Sequence, residues 1–140
     1  MGARHSGREA ALQMLFQMEA SGGAAADIIK LYWRYFEGEP EGRAYADEAV
    51  LGVAGSLEAL DKRITEASAH WRIERMARVD RNLLRLGAWE LESRSDVPRA
   101  VILDEAVELA KSFGTEDSSA FVNGVLDRIA EGLGRKDTDR

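Results

Sequence analysis

The chain contains no cysteine. That excludes a disulfide framework, a thiol nucleophile and any cysteine-containing zinc site, and it fits a reducing compartment. Histidine is nearly as scarce: His5 stands near the N-terminus and His70 beside Trp71, too isolated to make a usual zinc set, so no metal is expected. The two prolines, Pro40 and Pro98, fall in turn-like stretches and leave long segments free to be helical. No apolar run approaches the roughly 18 residues that a membrane-spanning helix needs, and none of signal-peptide length follows Met1. A soluble, cytoplasmic chain with no membrane attachment is the expectation. Basic charge is short as well: the formal net charge is −6 and the pI about 5.0. A protein that coats nucleic acid nonspecifically usually carries a basic footprint. Any nucleic-acid site here must therefore be local and salt-sensitive.

Alternating strand patterns, internal repeats and low-complexity blocks are also missing, so the reading is all-α. At 140 residues one domain spanning 1–140 is expected, with about seven short helices around a core. Ser6-Gly-Arg-Glu9 has the form of a capping box opening the first helix, and Gly22-Gly23 ends it. A second helix is expected over 27–36, with Ile28, Leu31, Tyr32, Tyr35 and Phe36 on its apolar side, and a loop over 38–42. From 43 to 71 a stripe of Ala46, Ala49, Val50, Val53, Leu57, Leu60, Ile64, Ala67 and Trp71 predicts one long helix. Gly52 and Gly55 within it imply either a close helix crossing or a local kink. A short helical turn over 72–77 and a helix over 79–92 follow. Next comes a helix over 99–113 that stops at Gly114, read as a C′ glycine. In the connector Thr115-Glu-Asp-Ser118, Asp117 or Ser118 can cap the last helix. Residues 134–140 read as a loose charged tail.

Enzyme signatures fail: there is no Gly-x-Ser-x-Gly elbow and no P-loop. Asp104, Glu105 and Glu108 put carboxylates on one helix face, where a solvated surface is the plain explanation. No catalytic residue and no cofactor is expected. Arg72, Arg75, Arg78, Arg81 and Arg85 recur at three- and four-residue spacing. On one unbroken helix they would form a cationic stripe able to meet phosphates. The alternative is a solvated face with pairs such as Arg81–Glu74 or Arg85–Asp80. Arg4 and Arg8 flank a helix start, where anions are already favoured. Phe121, following Asp117 and Ser118 at another helix start, could stack a base while the turn bonds its edge. Spacing alone favours Phe121 as core.

The blocks Val79-Asp-Arg-Asn-Leu-Leu-Arg-Leu-Gly-Ala-Trp-Glu-Leu91, Val97-Pro, Asp104-Glu-Ala-Val-Glu-Leu-Ala-Lys-Ser-Phe-Gly114 and Phe121-Val-Asn-Gly-Val-Leu-Asp127 resemble the C-terminal half of the NusB family. The opening Arg8-Glu-Ala-Ala-Leu-Gln-Met-Leu-Phe16 is similar to that family's first helix. The resemblance runs from about 8 to 129 and is most specific in the second half. It implies two small helical bundles packed across each other. It also implies binding of boxA RNA together with the ribosomal protein NusE, within an RNA polymerase antitermination complex that reads through terminators in ribosomal RNA operons. Carried over by position, it nominates Arg4, Arg8, Asp117, Ser118 and Phe121 for RNA and Asp80 for the protein partner. The family usually opens with a dense arginine run, whereas this chain has Arg4-His-Ser-Gly-Arg8, which implies softer RNA binding. Two alternatives stay open: a helical module of the kind attached to RNA methyltransferases, and an adaptor that binds protein only.

Overall fold

The computed structural model describes residues 2–136. Among them are seven α-helices, one 3-10 turn and no strand: α1 (Ala3–Ser21), α2 (Ala25–Tyr35), α3 (Pro40–Gly55), α4 (Leu57–Ala67), the 3-10 turn Ile73–Arg75, α5 (Arg78–Ser93), α6 (Arg99–Phe113) and α7 (Ser118–Gly132). No helix among the described residues is long and apolar enough to cross a membrane. The chain divides into two compact units, Met1–Gly55 and Ser56–Arg140.

In the first unit α1 packs chiefly on α3, and α2 touches both. Helix α1 starts three residues before the expected capping box. Gly2, at φ 107°, makes the turn into the helix, and Ser6 lies inside it with its N–H donating to the Gly2 carbonyl at 3.2 Å. Gly22 ends α1 as read, in the left-handed region at φ 74°. Pro40 belongs to α3 as its first residue, not to a loop; the fixed φ and missing N–H of proline suit that position. Ala11, Met14, Ala46, Ala49 and Val50 are fully enclosed. On α2 only Ile28 is buried. Leu31, Tyr35 and Phe36 are exposed and, with Phe16, line an open groove of about 440 Å³. The apolar side expected for this helix is thus largely uncovered within its unit.

The long helix predicted over 43–71 is two helices broken at Gly55–Ser56. The reason is physical: one continuous stripe serves two cores. Val50 and Val53 are buried in the first unit, while Leu60 and Ile64 are buried in the second. A break leaves the periodicity intact, so the pattern cannot reveal it.

In the second unit α5 packs against α4, α6 and α7. Leu83, Leu84, Leu86, Ala88, Trp89 and Leu91 are all buried, covering most of the helix circumference rather than one stripe. Arg99 is only 3% exposed, and its guanidinium donates to Glu131 at 3.0 Å and, from Nη2, to Asp127. Arg135, expected in a loose tail, is tied down: its guanidinium donates to the Leu91 carbonyl at 2.8 Å and to the Val97 carbonyl. The rest of that expected tail, residues 137–140, lies outside the described residues.

Candidate nucleic-acid interface

The front of α1 is set by a close approach to α3. A Cβ at Gly7 would stand 2.6 Å from the Gly42 carbonyl oxygen, and a Cβ at Gly42 would stand 2.6 Å from that of Ala3. This contact brings the first turns of α1 over Tyr45, which is 4% exposed. The Arg4 and Arg8 guanidinium carbons lie 5.0 and 5.1 Å from the Tyr45 ring centroid, within cation–π range. Arg8 Nη2 also donates to the Tyr45 hydroxyl at 3.4 Å. The two arginines nominated together therefore differ. Arg8 is buried at 3% exposure and holds the ring. The Arg4 side chain is 40% exposed and lies 3.5 Å from the Glu41 carboxylate. Tyr45 escaped the sequence reading because a contact across 37 residues leaves no local pattern.

At the head of α7 the three nominated residues also separate. Asp117 occupies the cap position (φ −90°, ψ −8°) and makes no side-chain hydrogen bond to the helix; it is exposed. Ser118 is 1% exposed and points back into the connector, its Oγ accepting from the Thr115 N–H at 2.9 Å. Neither caps α7 in the expected way. Gly114 is extended (φ −99°, ψ −165°) and not left-handed. Its requirement is space, because a Cβ there would meet Ser118 Oγ at 2.5 Å and the Ala110 carbonyl oxygen at 2.8 Å. Phe121 is half-buried, beside the wholly enclosed Val122. Asp117 and Phe121 thus stay accessible while Ser118 positions the turn.

Asp80 sits in the first turn of α5, where the helix dipole favours a carboxylate. It is 9% exposed, and its Oδ1 is buried without a hydrogen-bond partner among the described residues. The arginine stripe is not continuous. Arg72 precedes the 3-10 turn and Arg75 ends it, whereas Arg78, Arg81 and Arg85 belong to α5. Arg85 forks onto Asp61 at 2.8 and 2.9 Å rather than onto Asp80, and Arg81 donates to the Met76 carbonyl at 2.7 Å. Glu74 meets Arg72 at 3.1 Å. Structural pairing thus takes up much of the stripe. Asp104 and Glu108 are exposed on α6.

A family model, that of the NusB family, matches residues 5–131. The chain belongs to the NusB family. The transcription antitermination protein NusB of Sorangium cellulosum (strain So ce56) is 69% identical over 140 residues, the full length of both chains. That of Myxococcus xanthus (strain DK1622) is 47% identical over 139 residues, 96% of this chain and 99% of the relative. Among solved structures, T. maritima NusB aligns with a TM-score of 0.83 at 35% identity, covering 91% of this chain and 90% of that one. A crystal structure of the antitermination factors NusB and NusE in complex with dsRNA aligns with a TM-score of 0.83 at 26% identity, covering 93% and 97%. The longer NusB-like blocks of the second half fall on α5, α6 and α7, and the opening block Arg8–Phe16 falls on α1.

Proposed function

We propose that the chain binds boxA-type RNA together with the ribosomal protein NusE, and so supports read-through of terminators in ribosomal RNA operons. In this reading it is a scaffold in the cytoplasm, part of an RNA polymerase antitermination complex, with no catalytic step and no cofactor. The observation that carries the reading is the match along 93% of the chain to a protein solved with NusE and dsRNA. Accessible Asp117 and Phe121 at the head of α7 support it, as does Arg4 at the front of α1. Arg8 and Ser118 act from behind, holding Tyr45 and the connector.

Because one front arginine is buried, RNA binding by the chain alone is expected to be weak and to tighten markedly with NusE. Titration of labelled boxA RNA with and without NusE tests this; equal affinity in both arms would overturn it. In the same assay Phe121→Ala is expected to weaken RNA binding by about 1–3 kcal/mol, the value of one stacked base, with the melting temperature nearly unchanged. A variant that instead unfolds would make Phe121 a packing residue.

Asp80→Asn is expected to lower NusE affinity tenfold or more. Asp80 Oδ1 has no hydrogen-bond donor among the described residues, and a basic partner whose docking opens this edge would supply a charge-assisted bond. Stability should move by no more than about 1 kcal/mol, the scale of a helix-dipole contribution. Calorimetry decides: unchanged NusE affinity with a lowered melting point would leave Asp80 as a helix-start residue only. The burial of Arg8 favours one second reading, an adaptor that binds NusE but no RNA, and the titration distinguishes it.

A further inference from the structure

We propose that the turn around Trp71 is a further RNA contact, in which the indole stacks an unpaired base of single-stranded RNA and Arg72 and Arg75 meet its phosphates. The proposal rests on the RNA-binding reading above and adds a site to it. Of the three tryptophans, Trp89 is buried and Trp33 donates from Nε1 to Asp47 at 2.7 Å. Trp71 is 55% exposed. It is not on a frayed loop. Ala69 and His70 are consecutive non-glycine residues in the left-handed region, at φ 57° and 64°, a conformation that persists only where the surroundings fix it. They are fixed by His70 N–H donating to the Thr65 carbonyl at 2.8 Å and Trp71 N–H donating to the Ser68 carbonyl at 3.2 Å. Buried Ser68 donates to the Thr65 carbonyl at 3.2 Å. Arg128, from α7, donates to the Ala67 carbonyl at 2.6 Å. The strained turn thus holds a large apolar ring out in water.

His70, Trp71, Arg72 and Arg75 line an open cleft of about 430 Å³. Arg75 is exposed and forms no ion pair among the described residues. Glu74 offsets one charge through its 3.1 Å pair with Arg72, and both side chains are largely exposed. On a chain of net charge −6, cations gathered around an open indole complement a polyanion that also offers flat π faces. Single-stranded RNA has both, and stacking on an aromatic platform tolerates any base.

The test is anisotropy of a labelled single-stranded boxA-type RNA with the full chain plus NusE. Trp71→Ala is expected to weaken RNA binding about tenfold or more while leaving NusE affinity and the melting temperature unchanged. Trp71→Phe should recover most of the loss. Arg75→Gln should reduce the salt slope by about 0.7, the value for one single-strand phosphate contact. RNA carrying 4-thiouridine should cross-link to the peptide containing Trp71. If the unaltered chain binds RNA and Trp71→Ala binds it equally, this site falls and the RNA reading stands. If the unaltered chain with NusE binds no RNA, both fall. A Trp71→Ala variant that loses NusE and keeps RNA would make the turn a protein surface and overturn the proposal. Should Trp71→Ala fail to fold, Trp71→Phe and the cross-link decide: a Phe variant that binds normally, with no cross-link at Trp71, rejects it.

Discussion

Gly7→Ala is expected to lower the free energy of unfolding by about 2–3 kcal/mol, measured by urea denaturation. Helix propensity alone predicts the opposite, a gain of about 1 kcal/mol for alanine over glycine within a helix. The contact decides the sign. The new methyl would stand 2.6 Å from the Gly42 carbonyl oxygen, and a main-chain atom cannot swing aside as a side-chain tip can. Helices α1 and α3 must part, loosening Ala11, Met14, Ala46 and Ala49, none of which is exposed. Gly124→Ala is the control. A Cβ there has its nearest neighbour at 3.8 Å, on the flexible Arg128 guanidinium, so up to about 1 kcal/mol of stabilisation is expected. Gly7→Ala behaving like Gly124→Ala would refute the crossing.

The second large effect is an asymmetry around Arg99. Its side chain is 4% exposed, whereas its partners Asp127 and Glu131 are 52% and 67% exposed. Asp127→Asn with Glu131→Gln removes two carboxylates that the buried guanidinium meets, and a loss of about 3 kcal/mol is expected. That is the low end for breaking a buried pair, because the exposed carboxylates are partly screened already. Arg99→Met leaves two carboxylates that water can serve and fills most of the vacated volume, so about 1–2 kcal/mol is expected. Thermal melts of the two variants compare the losses. If the arginine variant loses more, the packing of its stem outweighs its charge.

Helix bounds were legible where an element served a single core. Helix α6 runs over Arg99–Phe113 as read, and α5 differs from its expected range by a residue at each end. The stripe through Leu57 misled because its two ends are buried in separate units. The candidate site was legible as residue types but not as roles. Arg8 and Arg4 look alike in sequence, yet only the position of Tyr45, 37 residues further on, buries one and leaves the other half-open. Ser118 and Asp117 both suit a helix start, and the missing side chain at Gly114 leaves the room in which the serine turns inward. Phe121 shares the spacing of Val122 and Val125, but lies one step off the enclosed face. Glycine crossings are the hardest to read, since Gly7 and Gly42 acquire their meaning only from each other. Gly55, singled out as a crossing or kink, marks the end of α3 and faces open space.

The three tryptophans have three different surroundings: Trp89 enclosed, Trp33 bonded to a carboxylate and Trp71 in water. In optical terms the protein carries its own colour code. The water-facing indole emits furthest to the red and is the first that a dissolved quencher reaches, while the enclosed one emits to the blue and is shielded. Trp71 and Trp89 share the second unit but differ in exposure, so unlabelled fluorescence resolves events at the Trp71 turn from loosening of the core around Trp89. A base settling on Trp71 would dim the red part of the spectrum and leave the blue part as it was.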